Sequence, residues 1–279
     1  MARPTGDTTW LDLGTTKLEA TLTFYSELFG WMFEDTGEEF GHYHMISNDG
    51  APVGGLMDVA GMPMPDGTPL ESGWDVYLAV DDVDARLARA TEHGASVFSP
   101  AMDIGPLGRS AMITDPTGAR VGLWQANEFE GFEFTGAPGS PVWFELMTHE
   151  FDAAREFYST LLDIQLEPMG ESMDDGMMRY LNAGPMDSAT WGLGDSTAFM
   201  PKEATGWRAY LAVESADPAA AKVQELGGSV LDGPIDSPFG RIATVADPDG
   251  ATFQICAMSE AVGESAAAGE PEVGAATAG

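Results

Sequence analysis

Apolar side chains recur at two different spacings near the start of the chain. Residues 10–13 alternate large side chains in the manner of a β-strand. The apolar residues that follow, at spacings of four, three and four, are Leu18, Leu22, Tyr25 and Phe29. Such spacing places them on one face of a helix, which we expect to start at the capping box Thr16-x-x-Glu19 and to end near Gly30.

A second strand and helix follow in the same half of the chain. Residues 76–80 have the pattern of an apolar strand, and a helix pattern covers about residues 82–92, with Gly94 as its stop. The segment Asp115-Pro116-Thr117-Gly118 has proline and glycine where a type I turn places them. It predicts a hairpin whose returning strand comprises residues 121–124.

The second half of the chain repeats the first. Trp10-Leu11-Asp12-Leu13 is matched in the second half by Trp143-Phe144-Glu145-Leu146. The turn Asp115-Pro116 is matched by Asp247-Pro248, at a spacing that is shorter by a single position. Because many further matches keep the same order, an internal duplication is predicted.

The helix signals recur in the second copy. The apolar stripe of its first helix consists of Phe151, Ala154, Tyr158 and Leu161. Before its second helix, Asp217 is the predicted N-cap and Pro218 the first helical residue, where the missing N–H of proline costs nothing. Gly227 follows the last turn of this helix and is its predicted stop.

A weaker repeat lies inside each half, where Trp10 corresponds to Asp75 and, at the same spacing, Trp143 corresponds to Arg208. We therefore predict an α+β protein of four βαβββ units, which form two tandem domains with curved mixed sheets. The segment after Ser259 is rich in Ala, Gly and Glu and lacks the apolar surface needed to offset its ordering entropy. The predicted bounds are a first domain at residues 7–129, a linker at 130–140, a second domain at 141–258 and a disordered tail at 259–279.

Composition narrows the class of protein. At 279 residues and 44% hydrophobic content the chain can bury two cores, and a net charge of −33 would be repelled by nucleic acids and anionic membranes. No apolar run reaches the roughly 20 residues of a membrane-spanning helix, and the start lacks the layout of a secretory signal. We expect a cytoplasmic protein, monomeric or homodimeric, that binds neither nucleic acid nor membrane.

The acidity and the single cysteine each have two interpretations. Only three of the basic residues are lysines, and such a surface is either a solubility adaptation to salt or a means of attracting a cationic ligand. Cys256 excludes an internal disulfide and a cysteine-rich zinc site. It is interpreted as a small apolar strand residue, with a reactive thiol as the alternative.

Taken together, these motifs resemble the vicinal oxygen chelate superfamily, which includes glyoxalase I, bleomycin-resistance proteins and extradiol dioxygenases. The motifs are a helix that carries Phe24-Tyr25, a strand and helix that open with Leu78-Ala79-Val80-Asp81-Asp82-Val83-Asp84, and the Asp-Pro-x-Gly hairpin, each found twice. The resemblance covers residues 7–258. Within the superfamily, the chain is similar to tandem glyoxalase-like proteins of actinobacteria, many of which carry the label "putative hydroxylase". The resemblance implies a curved sheet around a central cavity in each half.

Metal-using relatives place ligands on the first strand of each unit and on the last strand. The matching positions here hold Trp10, Asp75 and Gly122 in the first half and Trp143, Arg208 and Gln254 in the second, with a fourth position near Met57 and near Trp191. Indole donates only an N–H, guanidinium is a permanent cation and glycine has no side chain. We therefore expect no metal and no other cofactor, and we do not transfer the glyoxalase and dioxygenase activities of the family.

Two other pairs of residues have both a structural and a functional interpretation. His42 and His44 share a strand face, which allows a metal or acid-base role, although ordinary strand positions are the alternative explanation. Arg109 and Arg241 precede the two hairpins. Each is interpreted as pairing with the Asp of its own turn, or alternatively as anchoring a ligand.

Strand parity predicts the lining of each cavity. The expected pocket residues are Trp10, Asp75, Tyr77 and Trp124 in the first half and Trp143, Arg208, Tyr210 and Gln254 in the second. Such aromatic and polar groups suit a flat organic molecule. Asp12 and Glu145 each share a face with a tryptophan, so that partial burial would raise the carboxyl pKa toward the range of a general base. Alternatively, the tryptophans only fill the space of a former metal site.

Three functions remain open at this point. The first is a metal-independent small-molecule binding protein of the glyoxalase and bleomycin-resistance type, with an aromatic or cationic ligand. The second is a metal-independent lyase, isomerase, cyclase or hydroxylation-pathway enzyme that uses Asp12 or Glu145 as general base. The third is a non-catalytic interaction protein with collapsed cavities. The residues alone leave open whether the chain is an enzyme.

Overall fold

The computed structural model describes residues 3–169 and 178–261, and its first half contains two βαβββ units. The elements of the first half are β1 (Thr8–Thr15), α1 (Leu18–Phe29), β2 (Met32–Asp35), β3 (His44–Asn48), β4 (Ala51–Asp58), β5 (Gly73–Ala79), α2 (Val83–Glu92), β6 (Ser96–Ile104), β7 (Gly108–Thr114) and β8 (Arg120–Ala126).

The second half repeats this order. Its elements are β9 (Pro141–Thr148), α3 (Phe151–Leu162), β10 (Leu166–Pro168), β11 (Tyr180–Ala183), β12 (Trp191–Asp195), β13 (Gly206–Ala212), α4 (Ala216–Glu225), β14 (Ser229–Ser237), β15 (Gly240–Ala246) and β16 (Thr252–Ala257). The predicted α+β class and the four βαβββ units are confirmed. Most of the predicted tail, residues 262–279, lies outside the described residues.

Each half folds into one mixed sheet of eight strands. The strand order is β2-β3-β4-β1-β5-β8-β7-β6 in the first half and β10-β11-β12-β9-β13-β16-β15-β14 in the second. The two units of a half join through the antiparallel pairs β1–β5 and β9–β13, whereas the first and last strands of a unit run parallel, as in β1–β4 and β5–β8. None of the helices in the described ranges combines the length and apolarity that crossing a bilayer requires.

The helix starts differ from two of the predictions. Helix α1 ends at Gly30, whose φ of 75° is left-handed as predicted, but it begins after Lys17 without a side-chain cap. The capping box is wrong because the Thr16 amide and hydroxyl donate to Asp249 of the second half instead. Helix α4 begins after Ser215, before the predicted N-cap, and the Asp217 carboxylate in its first turn pairs with Arg241.

The two halves pack back to back through the faces that carry the helices. Phe24 and Tyr25 of α1 contact the ring of Phe253 in β16, and strand β5 lies against β13. Buried apolar residues of both halves form one continuous core. Two sheets that share a core in this way leave their other faces turned away from each other, and we call these the outer faces.

Two buried hydrogen bonds cross between the halves at related positions. The Tyr158 hydroxyl on α3 donates to Asp115 Oδ2 over 2.7 Å, and the Tyr25 hydroxyl on α1 donates to Asp247 Oδ2 over 3.3 Å. Both aspartates open the Asp-Pro-x-Gly turns, where their Oδ1 atoms accept backbone amides of the same turn. Each turn carboxylate therefore accepts a hydrogen bond from a phenol of the opposite half.

The two arginines that precede the hairpins do not contact those turn aspartates. Arg109 pairs with Asp84 and Asp103, and Arg241 pairs in the same manner with Asp217 and Asp236. The prediction that each pairs with the Asp of its own turn is wrong, because the turn carboxylates are buried under the tyrosines. These arginines instead tie a helix to a strand at the surface.

Candidate functional site

Strand pairing brings the predicted residues of the first half onto its outer face. The register pairs Trp10 with Tyr77 and Asp12 with Asp75 across β1 and β5. Residues that lie directly opposite in an antiparallel pair share one face of the sheet. The alternating residues of β1, such as Leu11 and Leu13, are fully buried on the opposite, helix-bearing face.

A tryptophan, a carboxylate and two tyrosines meet on this face. The Trp10 indole Nε1 donates to Asp12 Oδ1 over 2.9 Å and contacts the Tyr43 hydroxyl over 2.8 Å. The Tyr43 hydroxyl also donates to Asp12 Oδ1. The Tyr77 phenol lies close enough to lower the Asp12 pKa further. Asp12 is thus surrounded by three aromatic donors.

The Asp12 carboxyl has a pKa above the ordinary value, in spite of these donors. Burial raises the pKa of Asp12 to about 6, the donors Tyr43 and Tyr77 oppose that rise, and the neighbouring Asp75 adds to it. Burial likewise raises the pKa of both tyrosines well above 10, and the adjacent carboxylate adds to this effect. The site therefore contains one carboxyl that titrates near neutrality beside two phenols that stay protonated.

Asp75 is held by a partner that sequence reasoning missed. Arg120 Nε donates to Asp75 Oδ1 over 2.5 Å, and the same guanidinium lies over the ring of Phe98 at 4.9 Å from its centroid. Burial raises the pKa of Asp75, and Arg120 counteracts that rise. Because Arg120 neutralises it, Asp75 does not present a free negative charge to a ligand.

The second half contains the same combination of groups. The Trp143 indole donates to the Tyr180 hydroxyl over 2.9 Å, and this hydroxyl donates to Glu145 Oε1 over 2.9 Å. The Tyr210 hydroxyl donates to Glu145 Oε2 over 2.5 Å. Burial raises the pKa of Glu145, whereas the two phenols and Arg208 lower it. Both predicted general-base candidates therefore sit in matching environments.

Tyr43 and Tyr180 were not predicted as site residues. The interval between Tyr43 and Tyr180 is longer than the interval that separates the matched residues before and after them. The repeat offset therefore does not relate these two tyrosines. The strand register does relate the two tyrosines. Asp12 pairs with Gly55 and Glu145 pairs with Gly192, and the interval between these glycines equals that between the tyrosines. A search for a shifted repeat between α1 and β4 of the first half, and between α3 and β12 of the second, would have found both tyrosines.

The same register defines the fourth ligand position in each half more closely. That position falls on Gly55, two residues before Met57, and on Gly192, next to Trp191. Trp191 is fully buried on the helix-bearing face, where its indole donates to the Gly6 carbonyl over 2.8 Å. A β-carbon at Gly55 or Gly192 would overlap Tyr43 or Tyr180 respectively. A phenol therefore fills the space that a ligand side chain would need.

The donor sets do not fit a divalent metal ion. The four equivalent positions are Trp10, Gly55, Asp75 and Gly122 in the first half and Trp143, Gly192, Arg208 and Gln254 in the second. Each set offers at most one carboxylate or amide side chain. Within the described ranges, no three His, Cys, Asp or Glu side chains are grouped so that they could hold a metal.

Trp124 on strand β8 is a predicted pocket residue of the first half that lines a cavity. Its indole donates to the Phe129 carbonyl over 3.0 Å, and Phe129 packs edge-on against both Trp124 and Trp10. A cavity of about 190 Å³ lies beside Trp124, between Arg3 and Glu130. None of the other predicted pocket residues lines this cavity, and Trp10 and Tyr77 are themselves buried beside it.

The two histidines do not act together. His42 precedes strand β3, is largely exposed and contacts Asp35 Oδ2 over 3.0 Å. His44 pairs with Leu56, which places it on the face opposite the Asp12 site. Cys256 is buried in β16, and burial raises the pKa of its thiol to about 11, which favours the structural interpretation of this cysteine.

Two tandem sheets of paired βαβββ units, each with polar groups at one shared set of positions, define a known class of fold. The profile of the Glyoxalase/Bleomycin resistance protein/Dioxygenase superfamily matches residues 9–123, and that of the Glyoxalase-like domain matches residues 143–256. The chain belongs to this superfamily, and it contains the domain twice. The predicted family is confirmed.

Several named proteins are similar over nearly their whole length. "Putative glyoxylase CFP32" of Mycobacterium tuberculosis is 39% identical over 255 residues, which are 90% of this chain and 94% of that protein. "Anthracycline biosynthesis protein DnrV" of Streptomyces peucetius is 35% identical over 283 residues of the alignment, which covers 95% of this chain and 97% of that protein.

Solved structures share the fold at low sequence identity. The Mn(II)-bound glyoxalase from Novosphingobium aromaticivorans aligns with a TM-score of 0.60 at 16% identity, over 92% of this chain and 84% of that one. The 2,3-dioxygenase LapB from Pseudomonas sp. KL28 aligns with a TM-score of 0.60 at 14% identity, over 91% and 93%. At such identities the likeness concerns the fold and not the chemistry.

Proposed function

We propose that this chain is a metal-independent protein that binds an aromatic small molecule on the outer face of each half. The observation that carries the proposal is the repeated group of a tryptophan, a carboxylate and two tyrosines. This group makes matching hydrogen bonds in both halves, although the interval between Tyr43 and Tyr180 differs from the interval between its other members. A merely space-filling substitution at the former ligand positions would not require the same hydrogen bonds twice.

The partial exposure and the polarity of the second site support an aromatic ligand. Trp143, Tyr210 and Glu145 are each half-buried, so their aromatic and polar surfaces are partly open to a ligand. Indole and phenol rings provide large apolar contact area together with hydrogen-bonding groups. Two relatives of this chain are named for anthracycline biosynthesis, and anthracyclines are flat molecules with fused rings.

The hydrogen-bonded carboxylate of the first site supports a further property of the ligand there, a cationic group. Asp12 and the net charge of −33 would both attract a positively charged substituent. The name glyoxylase and the metal-bound neighbour instead imply a metal ion, which the donor sets of this chain do not fit. Binding without metal is therefore the better-supported proposal.

A second candidate function rests on the titration of one residue. A carboxyl whose pKa is raised to about 6 by burial can accept a proton near neutral pH, as a general base does. Asp12 would then act in a metal-independent lyase, isomerase or cyclase, or in a hydroxylation-pathway enzyme, with Glu145 in the corresponding role in the second half. Such a base would remove a proton from a ligand that lies against Trp10.

Binding and metal content test the main proposal directly. Protein purified without added metal is titrated with anthraquinone and naphthalene derivatives, while tryptophan fluorescence and the melting temperature are followed. We expect quenching and a rise in Tm in protein whose content of zinc, iron, manganese and nickel is well below stoichiometric. Stoichiometric metal bound within either half, or a complete lack of response to all aromatic probes, would refute the proposal.

The variants Asp12→Asn and Glu145→Gln separate binding from catalysis. If the chain is only a binding protein, turnover of any probe is absent in the wild type and in both variants. If it is an enzyme, these variants lose turnover and retain binding, because Asn and Gln keep the shape and the acceptor oxygen but cannot take up a proton.

A further inference from the structure

Arg208 differs from the other basic side chains of this acidic protein. At least ten of the 12 Lys and Arg residues lie within 4.0 Å of a carboxylate oxygen. Arg208 has no such partner among residues 3–169 and 178–261. Its described hydrogen bond runs from Nη2 to the Met200 sulfur over 2.8 Å, and a thioether is a weak acceptor.

The position of Arg208 places this guanidinium in the second site. It pairs with Glu145 across β9 and β13, and the next pair on the same face is Tyr210 with Trp143. Both Glu145 oxygens already accept hydrogen bonds from tyrosines, and Arg208 donates to neither of them. Because Arg208 is only half-buried, most of its five N–H donors remain available to a ligand on this face.

A second donor lies beside it. Gln254 pairs with Tyr210 in the parallel strands β13 and β16, and its Oε1 accepts the Thr244 hydroxyl over 2.7 Å. The side chain is buried, and no described hydrogen bond uses its amide N–H groups, so that these remain for another acceptor. A guanidinium and an amide on adjacent strands of one sheet face form a pair of donors suited to an oxyanion.

The first half lacks these donors at the matching positions. Asp75, whose charge Arg120 neutralises, stands where Arg208 stands in the second half, and Gly122 stands where Gln254 does. The aromatic and acidic surroundings are otherwise alike. The two sites thus share a common aromatic frame, and only the second has a guanidinium and a carboxamide at these two positions.

We propose that the second site binds the ionised acidic oxygen of an aromatic ligand, a carboxylate or a phenolate, through Arg208 and Gln254. The ring of the ligand lies against Trp143 and Tyr210. This inference rests on the proposed function and adds the class of ligand. An anion approaching a protein with a net charge of −33 is repelled, and a guanidinium that makes no ion pair within 4.0 Å among the described residues offsets that repulsion locally.

A matched pair of probes tests the inference without any mutation. Anthraquinone-2-carboxylate and anthraquinone-2-carboxamide have the same ring system and differ in charge. At pH 7 we expect the wild type to bind the carboxylate about tenfold more tightly, because charge-assisted hydrogen bonds are stronger than neutral ones. Isothermal titration or fluorescence quenching gives both dissociation constants.

Variants then assign the preference to one residue. Arg208→Gln should weaken carboxylate binding about tenfold and change carboxamide binding less than about threefold. Arg208→Lys keeps the charge without the planar fork and should lie between the wild type and Arg208→Gln. Arg241→Gln removes a surface arginine that is tied to Asp217 and Asp236, and it should change neither constant.

The outcomes distinguish this inference from the proposed function. Equal affinity of the wild type for the two probes, or an undiminished preference in a folded Arg208→Gln variant, would overturn the anion site and leave aromatic binding intact. Binding of neither probe would overturn both. If Arg208→Gln does not fold, the Arg208→Lys variant and the wild-type probe pair still decide the question.

Discussion

Tyr77 lies over Gly122, so that a β-carbon at position 122 would overlap the phenol ring. Gly122 occupies a position at which metal-using members of the superfamily carry a ligand on the last strand. The same relation recurs between Tyr43 and Gly55 and between Tyr180 and Gly192. At each of these positions a glycine replaces the metal-ligand side chain, and a tyrosine ring occupies the space above it. The hydroxyl groups of these tyrosines lie next to the carboxyl groups of Asp12 and Glu145.

Gly122→Ala should destabilise the protein because the added methyl group collides with Tyr77. In a packed interior such overpacking costs about 1–3 kcal/mol. Urea denaturation followed by circular dichroism measures this change. Gly73→Ala is the matched control, since Gly73 begins β5 in open space and a β-carbon there meets no atom within 4 Å. Equal stability of the two variants would contradict the placement of the ring.

Titration of Asp12 should reduce stability as the pH rises. Its pKa of about 6 in the folded protein lies above the ordinary value of 3.8, so between these values the folded state binds more protons than the unfolded state. The contribution of protonated Asp12 to the free energy of unfolding is present below about pH 4. It is lost as the pH rises through 6, and the loss is at most about 3 kcal/mol. Denaturation at a series of pH values should show this fall in the wild type and a smaller one in Asp12→Asn. An identical profile for both proteins would contradict the raised pKa.

Asp249 should stabilise the contact between the two halves. Burial alone would raise its pKa, but donors from Ser72, Thr16 and Thr15 together hold the pKa well below the ordinary value. The stabilisation is therefore present above about pH 4 and is lost as the pH falls further. Asp249→Ala removes the acceptor of these donors and should cost about 2–3 kcal/mol at pH 7.

The exposed Asp187 is the control for this prediction. Asp187→Ala removes a carboxylate from the surface and should change the free energy of unfolding by less than about 0.5 kcal/mol. The difference between the two variants should shrink in acid, because the advantage of the ionised Asp249 carboxylate is lost there. Thermal unfolding at pH 7 and pH 3 measures both effects, and a constant difference at the two pH values would argue against the carboxylate as the cause.

Tyr158→Phe should destabilise more than Tyr25→Phe. Both variants remove a phenol that donates to a buried turn aspartate, but the Tyr158 bond is 2.7 Å long and the Tyr25 bond is 3.3 Å long. A buried acceptor left without its donor costs about 1–3 kcal/mol, and a long, weak bond costs less. Chemical denaturation of the two variants gives the comparison, and the reverse order would show that the longer bond is the stronger one.

Much of the fold follows from the sequence because its signals are local and occur twice. The apolar stripe from Leu18 to Phe29 has the same bounds as helix α1, and Gly30 ends that helix. The Asp-Pro-x-Gly turns define the hairpins between β7 and β8 and between β15 and β16. The capping box failed because Thr16 has a stronger acceptor in Asp249, which is distant in sequence and leaves no local trace.

The site was only partly predictable for the same reason. Strand parity correctly grouped Trp10, Asp12, Asp75 and Tyr77 on one face, since alternation is a property of the strand itself. Tyr43 and Arg120 reach that face from outside these two strands, through pairings that depend on the register of the whole sheet. A repeat offset that is nearly constant elsewhere hides the segment from Tyr43 to Gly55, whose counterpart in the second half lies at a longer interval.

The phenols that cross between the halves should make this duplicated chain unfold as a single cooperative unit. If the linker were cut, each fragment would retain its own outer face but would lack the donor that completes its hairpin, and the fragments would have to reassociate to recover it. Occupancy of either face should consequently protect both halves against unfolding, so that one ligand reports on the integrity of the entire molecule.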